Sequence, residues 1–235
     1  MVSMGEVRRM SGPNFEITIV YTFYGQFERL DDIIKEKHPL SRVVIIDDCY
    51  PKPLGKLKGI EVYRVLDNIL WNNPGAKNLG FHVSNGWIVY ADIDHLVTKV
   101  NVDEILSLNK ERGVIYFLGR KDIATGEELD YWGTFVMHKD DFEIVGGYDE
   151  DFSGHYGYDD SLFLEQCQRN LIVREVRYIK IQLHDNSHTK NVYRDTIINR
   201  ELLNQKQGII RNEGRRLNFN WIALGGDEDD QAISL

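Results

Sequence analysis

The chain has 235 residues, 42% of them apolar and 28% charged, which is enough to bury the core of one large α/β domain and excludes disorder along its whole length. Its formal charge is -9, much of it in Asp227, Glu228, Asp229 and Asp230, and no dense Lys/Arg block or basic stripe interleaved with aromatics accompanies it, so a nucleic-acid partner is excluded. No stretch reaches the roughly 18 apolar residues of a membrane span. Residues 1–14 carry Arg8 and Arg9 without an apolar run and read as a flexible N-terminus, while residues 225–235 read as an acidic, solvated tail. Cys49 and Cys167 lie in no metal-ligand spacing and are too few for a disulfide framework, so reduced thiols in a soluble cytoplasmic protein are expected.

Taken in chain order, Phe15 to Tyr24 is a β-branched and aromatic strand, which Gly25 ends before a helical pattern of Phe27, Leu30, Ile33 and Ile34. Arg42 to Asp47 is a continuous apolar run, as expected of a strand covered on both faces in a parallel sheet, and it ends in Asp47 and Asp48. A shorter strand is predicted from Ile60 to Val65, and a helix between Pro74 and Ser84. Gly86 to Ala91 then returns as a buried strand that ends at Asp92. Alternation of this kind predicts right-handed βαβ units, whose ligands gather beyond the carboxyl ends of the strands, where all four of Asp47, Asp48, Asp92 and Asp94 fall.

Beyond this the spacing predicts a helix over Asn101 to Lys110, a strand from Gly113 to Leu118 and a polar loop through Glu128. Trp132 to Met137 reads as a strand, Asp160 to Arg169 as a helix with an acidic first turn, and Ile172 to Leu183 as a strand. A long helical stretch is expected to reach Asn212. The domain is thus expected to span 15–224, with a nucleotide-sugar half at 15–100 and an acceptor half at 101–224, without repeats or a linker.

Asp92-Ile93-Asp94 places two hard carboxylate donors just after a buried strand, a spacing that can hold one divalent cation. The competing account is a polar strand exit whose aspartates satisfy backbone N–H groups. In order along the chain also come Asn78-Leu-Gly-Phe81, Trp132-Gly-Thr-Phe135, Gly146-Gly-Tyr-Asp-Glu-Asp-Phe152 and Gly157-Tyr-Asp-Asp160. With these motifs the chain resembles GT-A glycosyltransferases: the inverting family 2 in its first half, and the galactosyltransferase carboxy-terminal region over about residues 131 to 188. The likeness covers Glu16 to about His188.

The resemblance implies a Rossmann-like nucleotide-binding half, a mixed central sheet flanked by helices, and transfer of a sugar from a nucleotide-sugar, a UDP-sugar by expectation, to a hydroxyl of a glycan or glycoconjugate. It implies that Asp47 or Asp48 contacts the base or ribose and that Lys77 and Asn78 lie near the diphosphate. Thr22 and Tyr24, at the end of the first strand, complete the expected donor contacts. Asp92 stands nearer the ribose and metal, Asp94 is the direct metal ligand, and His184 completes the site, with His188 as its competitor. A nitrogen ligand beside carboxylates favours Mn²⁺ over Mg²⁺. The motif at Gly157 assigns the general base of an inverting reaction to Asp159, with Asp160 beside it in the catalytic segment. The departure is Tyr158, where the family has Glu in contact with the acceptor. Trp132 and Tyr156 offer aromatic faces to the acceptor sugar, and for the two aspartates helix capping is the rival account. Two other functions compete: a sugar-nucleotide pyrophosphorylase, which would carry a Gly-rich basic loop where this chain has Tyr21 to Phe27, and a non-catalytic carbohydrate-binding protein on the same fold.

Overall fold

The computed structural model describes residues 15–129, 132–184, 194–209, 217–224 and 232–233. The expected flexible N-terminus, His188 and most of the acidic tail lie outside these residues.

The first half follows the predicted alternation. Strand β1 (Ile17–Phe23) leads through a 3-10 turn at Phe27–Arg29 into α1 (Leu30–Glu36), and β2 (Ser41–Asp47) and β3 (Glu61–Val65) follow. Helix α2 (Asn73–His82) then crosses to β4 (Trp87–Asp92). Strands β1, β2, β3 and β4 are parallel neighbours in the order β3-β2-β1-β4. Every residue of β1 is buried, as a strand requires when helices cover both sheet faces.

After β4 come the two-residue β5 (His95–Leu96), α3 (Lys99–Ser107) and β6 (Val114–Asp122). Thr98 caps α3 in a reciprocal box with Asn101, which starts that helix earlier than its apolar pattern indicates. The expected polar loop instead contains a hairpin, because β6 runs on to Asp122 and turns back into β7 (Glu128–Leu129). Strand β8 (Phe135–His138) passes directly into α4 (Lys139–Ile144), a helix not foreseen from the sequence, with Asp140 and Asp141 in its first turn. A 3-10 turn at Glu150–Phe152, α5 (Asp159–Asn170), β9 (Ile172–Leu183) and α6 (Ile197–Lys206) follow. The stretch expected to be helical as far as Asn212 is helical only over α6 among the described residues.

Two further strands, β10 (Trp221–Leu224) and β11 (Ala232–Ile233), close the sheet on its far side, β10 pairing antiparallel with β3. Ala232–Ile233, in the segment expected as a tail, pairs with β10. The sheet order is β11-β10-β3-β2-β1-β4-β8-β6-β9-β5, with β7 beside β6. The sheet is therefore mixed and continuous through both halves, a single domain.

Side-chain alternation builds one core layer on each face. Ile17, Ile19, Tyr21 and Phe23 of β1 pack with Leu30 and Ile33 of α1 and with Val102 and Ile105 of α3. Val20, Val44 and Ile46 face the other way, onto Leu79 and Phe81 of α2, Phe142 of α4 and Phe163 of α5. Phe81 and Phe142 stack with ring centroids 3.7 Å apart, and Tyr148 stacks on Phe163 at 4.1 Å. On this second layer Lys77 of α2 reaches Asp159 and Asp160 of α5.

Candidate functional site

Parallel pairing fixes where the acids go. In register Phe23 faces Asp47 and Thr22 faces Asp92, so the carboxyl ends of β1, β2 and β4 meet at one edge of the sheet. Gly25, at φ 94°, turns the chain away from β1, and a Cβ there would stand 2.5 Å from the Tyr50 ring, so only glycine lets Tyr50 fold over this edge.

The two acids after β2 divide their work. Asp47 is fully buried and accepts hydrogen bonds from the Tyr50 and Leu54 backbone N–H groups at 3.2 and 3.0 Å and from Arg64, so its carboxylate is spent on shaping the following loop. Asp48 accepts from Asn72 Nδ2 at 3.1 Å, and its carboxyl is pushed up to about 7, first by burial and then by neighbouring Asp47, with Asn72 opposing. Tyr24 is half exposed and meets Tyr50 edge-on at 5.2 Å.

At the end of β4, Tyr90 Oη donates to Asp92 Oδ1 at 2.6 Å, and Thr22 Oγ1 lies 3.0 Å from Tyr90 Oη and 3.3 Å from Asp92 Oδ1. Burial raises the Asp92 carboxyl above its ordinary range, with Lys77 opposing and Asp94 adding to the rise. Asp92, Asp94 and His95 each bring one ligand atom to a common point, all within 4.8 Å of one another. Two hard oxygens and an imidazole nitrogen fit a divalent cation, and the nitrogen fits Mn²⁺ better than Mg²⁺.

His95 received no role from the sequence, yet its ring joins the two aspartates. Strand β5 pairs with the end of β9, His95 opposite Leu183, and this also carries His184 to the same place, where its backbone N–H donates to Asp94 O at 2.9 Å. The His184 ring turns to Arg29 instead, Nδ1 lying 2.9 Å from Arg29 Nη1, and its buried Nε2 has no hydrogen-bond partner among the described residues. Burial and Arg29 lower its basicity. On the other side Arg120 Nη1 lies 3.0 Å from His95 Nε2, and His95 Nδ1 lies 2.9 Å from Asp94 Oδ1. A guanidinium only donates, so His95 Nε2 accepts and its Nδ1 faces Asp94. His95 thus has two available roles, a nitrogen ligand once it parts from Arg120 or the group that aims Asp94.

Lys77 and Asn78, expected near the diphosphate, have their polar atoms engaged inside the protein. Both are fully buried. The Asn78 amide donates to Tyr148 O at 3.0 Å and Glu150 Oε1 at 2.8 Å and accepts from Tyr148 N at 2.9 Å, so it pins α2 to the Gly146-Gly147-Tyr148 turn. Gly147, at φ 64°, belongs to that clamp, since a Cβ there would come within 2.9 Å of Asn78 Oδ1. Lys77 Nζ donates to Asp159 Oδ2 at 3.1 Å and Asp160 Oδ1 at 2.7 Å.

Asp159 and Asp160 begin α5. Its N-cap is Tyr158, in the left-handed region at φ 66°, and no side chain caps the helix, so neither aspartate is the capping residue. Asp159 is nearly buried, and its carboxyl is raised by burial, against the pull of Lys77, and further by Asp160. Asp160 also accepts from Tyr148 Oη at 3.1 Å. Tyr156 meets Trp71 edge-on at 4.9 Å and lies beneath Arg194 at 5.0 Å. Trp71 is a further aromatic at this edge that the sequence did not single out, and its φ of 50° marks it as strained. Trp132 stands ahead of β8, 4.7 Å from the Phe117 ring and under Arg177 at 4.9 Å, half buried on the core.

No family model matches the chain and no curated protein matches it in sequence, whereas solved structures do match it in fold. The catalytic domain of Drosophila beta1,4-galactosyltransferase 7, in complex with xylobiose, superposes with a TM-score of 0.56 at 14% identity, over 83% of this chain and 82% of that one. A mannosyltransferase from Pyrobaculum calidifontis in complex with GDP-Man and Mn²⁺ gives 0.55 at 11% identity, over 76% of this chain and 58% of that one. GalNAc-T7 with UDP, GalNAc and Mn²⁺ gives 0.59 at 13% identity, over 77% of this chain and 45% of that one. The chain has the GT-A glycosyltransferase fold.

Proposed function

We propose that this GT-A fold carries a metal-dependent glycosyltransferase that moves a sugar from a nucleotide-sugar to a hydroxyl of a glycan or glycoconjugate. The carrying observation is that Asp92, Asp94 and His95 converge beyond β4 while Asp159 and Asp160, reached through Lys77, stand beside them at the start of α5. Two structural neighbours hold Mn²⁺ beside a nucleotide or nucleotide-sugar, which supports the same use of this edge.

In this reading Asp92 and Asp94 hold the cation, with His95 or His184 as the nitrogen donor, and Mn²⁺ is the preferred ion, with Mg²⁺ its alternative. The bound cation supplies Lewis-acid neutralisation of the charge on the departing nucleoside diphosphate. Asp48, Thr22 and Tyr24 line the nucleotide end; Asp48 is the better candidate for the base or ribose because the Asp47 carboxylate is committed to its own loop. Asp159 accepts the proton of the acceptor hydroxyl as that oxygen attacks the anomeric carbon from the side opposite the leaving group, so configuration inverts. Tyr156, Tyr158 and Trp132 form the acceptor side. UDP is the favoured nucleotide on the sequence resemblance. The unbridged Cys49 and Cys167 support a reducing, cytoplasmic setting, and no described helix is long and apolar enough to cross a membrane.

The direct test is a thermal-shift screen of nucleotide-sugars with and without Mn²⁺, followed by assay of nucleotide release. A donor at a hundred times its dissociation constant adds roughly 2.7 kcal/mol of stability. Binding of one nucleotide-sugar only with the metal, with slow release of the nucleoside diphosphate, is the expected result. Sugar binding without any nucleotide affinity would instead support a carbohydrate-binding protein on this fold.

A further inference from the structure

We propose that Lys77 is a positioning residue, which holds Asp159 and Asp160 against the end of β4 and makes no contact with the donor's diphosphate. The inference rests on the transferase reading above and deepens it, because it assigns the buried cation of that site to the acceptor side of the reaction.

The argument begins with burial. Lys77 has no exposed surface, and its ammonium donates to one oxygen of each aspartate, at 3.1 and 2.7 Å. It lies 4.3 Å from the centroid of the Tyr148 ring and 5.5 Å from that of Tyr90. To reach a phosphate it would have to leave two carboxylates and two aromatic faces at once, stranding two adjacent like charges in a desolvated place. The electrostatics agree: burial works against the ammonium, but Asp159, Asp160 and Asp92 outweigh it and hold it charged above its ordinary range.

The three charges sum to one negative unit, so the pair acts as a single base with a compensated neighbour. Asp160 Oδ1 takes both Lys77 and Tyr148 Oη, which ties it down. Asp159 receives Lys77 on Oδ2, which fixes how its carboxylate is turned. Tyr90 completes the connection, as its hydroxyl donates to Asp92 while its ring faces Lys77. Among the described residues, the charged and titratable groups around the pair include Lys77 from α2, Tyr90 and Asp92 from β4, and Tyr148 from the turn ahead of α5.

The experiment compares Asp160→Asn with the double variant Lys77→Met/Asp160→Asn, since Lys77→Met alone leaves two adjacent carboxylates without their buried cation and can fail to fold. The pair of variants differs only in the buried cation. We expect the midpoint of Asp159, followed by carbon-13 NMR of labelled aspartate, to rise by about one pH unit or more when the cation is lost. The acid limb of the transfer rate should move with it, and UDP affinity in Mn²⁺ should stay within about three-fold, as loss of a group acting only on the reaction requires. An unmoved Asp159 midpoint, or a loss of UDP affinity beyond about ten-fold with the rate constant intact, would return Lys77 to the diphosphate. If the parent transfers no sugar from any nucleotide-sugar, the transferase reading fails, and the carboxyl titration still decides whether Lys77 governs Asp159.

Discussion

Tyr90 Oη donates to Asp92 Oδ1 across 2.6 Å, so the first aspartate beyond β4 is aimed by a buried residue two positions earlier on the same strand. Asp94 lies in the turn after β4, its Oδ1 2.9 Å from His95 Nδ1. The resemblance makes Asp94 the direct metal ligand, so the cation should rely most on it. Asp94→Ala is expected to abolish most metal-dependent UDP binding, as measured by calorimetry with and without chelator. Chelator-resistant UDP affinity equal to the parent's would remove the metal assignment.

His95 and His184 can be ranked by their response to two metals. If His95 supplies the nitrogen, His95→Ala should weaken Mn²⁺ by about ten-fold or more and Mg²⁺ much less, while His184→Ala has the smaller effect. Equal weakening of both metals by His95→Ala would show that it only aims Asp94. A larger effect of His184→Ala would give the nitrogen position to His184 after release from Arg29.

Asp159 should separate chemistry from binding. Asp159→Asn keeps the size of the side chain and removes the basic oxygen, and general-base catalysis contributes about 10²–10⁴-fold. Transfer is expected to fall by that order, with UDP and Mn²⁺ affinities within a few-fold. Asp160→Asn should fall less. Parent-like transfer by Asp159→Asn alongside an inactive Asp160→Asn would move the base by one residue.

Asp48 makes stability depend on pH. Its carboxyl, raised to about 7 by burial first, keeps in the native state a proton that the unfolded chain releases near its ordinary value. Stability is then greatest below that ordinary value, falls as pH rises toward 7, and is lower above 7 by at most about 4 kcal/mol. Asp48→Asn keeps an oxygen for the Asn72 hydrogen bond and cannot ionise, so its melting temperature should hold through the window where the parent's declines. Parallel melting curves from pH 4 to pH 8 would refute the raised carboxyl.

Much of this was legible in the chain. Continuous apolar runs announced β1, β2 and β4, and their parallel pairing put the acids on one edge because the acids end those runs. What the sequence does not display has physical causes. Strand β5 has two residues and no period, and His95 directly follows Asp94, so nothing local distinguished its ring from a surface imidazole. Helix α4 is only six residues long, starts without a turn after β8, and offers only its acidic first turn as a signal. Lys77 was expected at the diphosphate, although its helix neighbours Pro74, Gly75, Ala76, Leu79, Gly80 and Phe81 are all buried. A helix enclosed on every side has no wet face to offer a lysine, so Lys77 meets its partners inside the protein.

The pairing of β10 with β3 sets an order of events as the chain is made. Val65 finds its register partner in Trp221, and Leu66 donates its backbone N–H to Asn220 O. Until that late segment leaves the ribosome, β3 presents a bare row of N–H and C=O groups on the outer side of β2, a template onto which any extended strand can dock. Shortening the chain ahead of Trp221 would leave that condition permanent. Such a shortened chain is expected to keep the acids at the ends of β1, β2 and β4 and still be lost to aggregation during synthesis, with the hazard arising on the side of the sheet away from the chemistry.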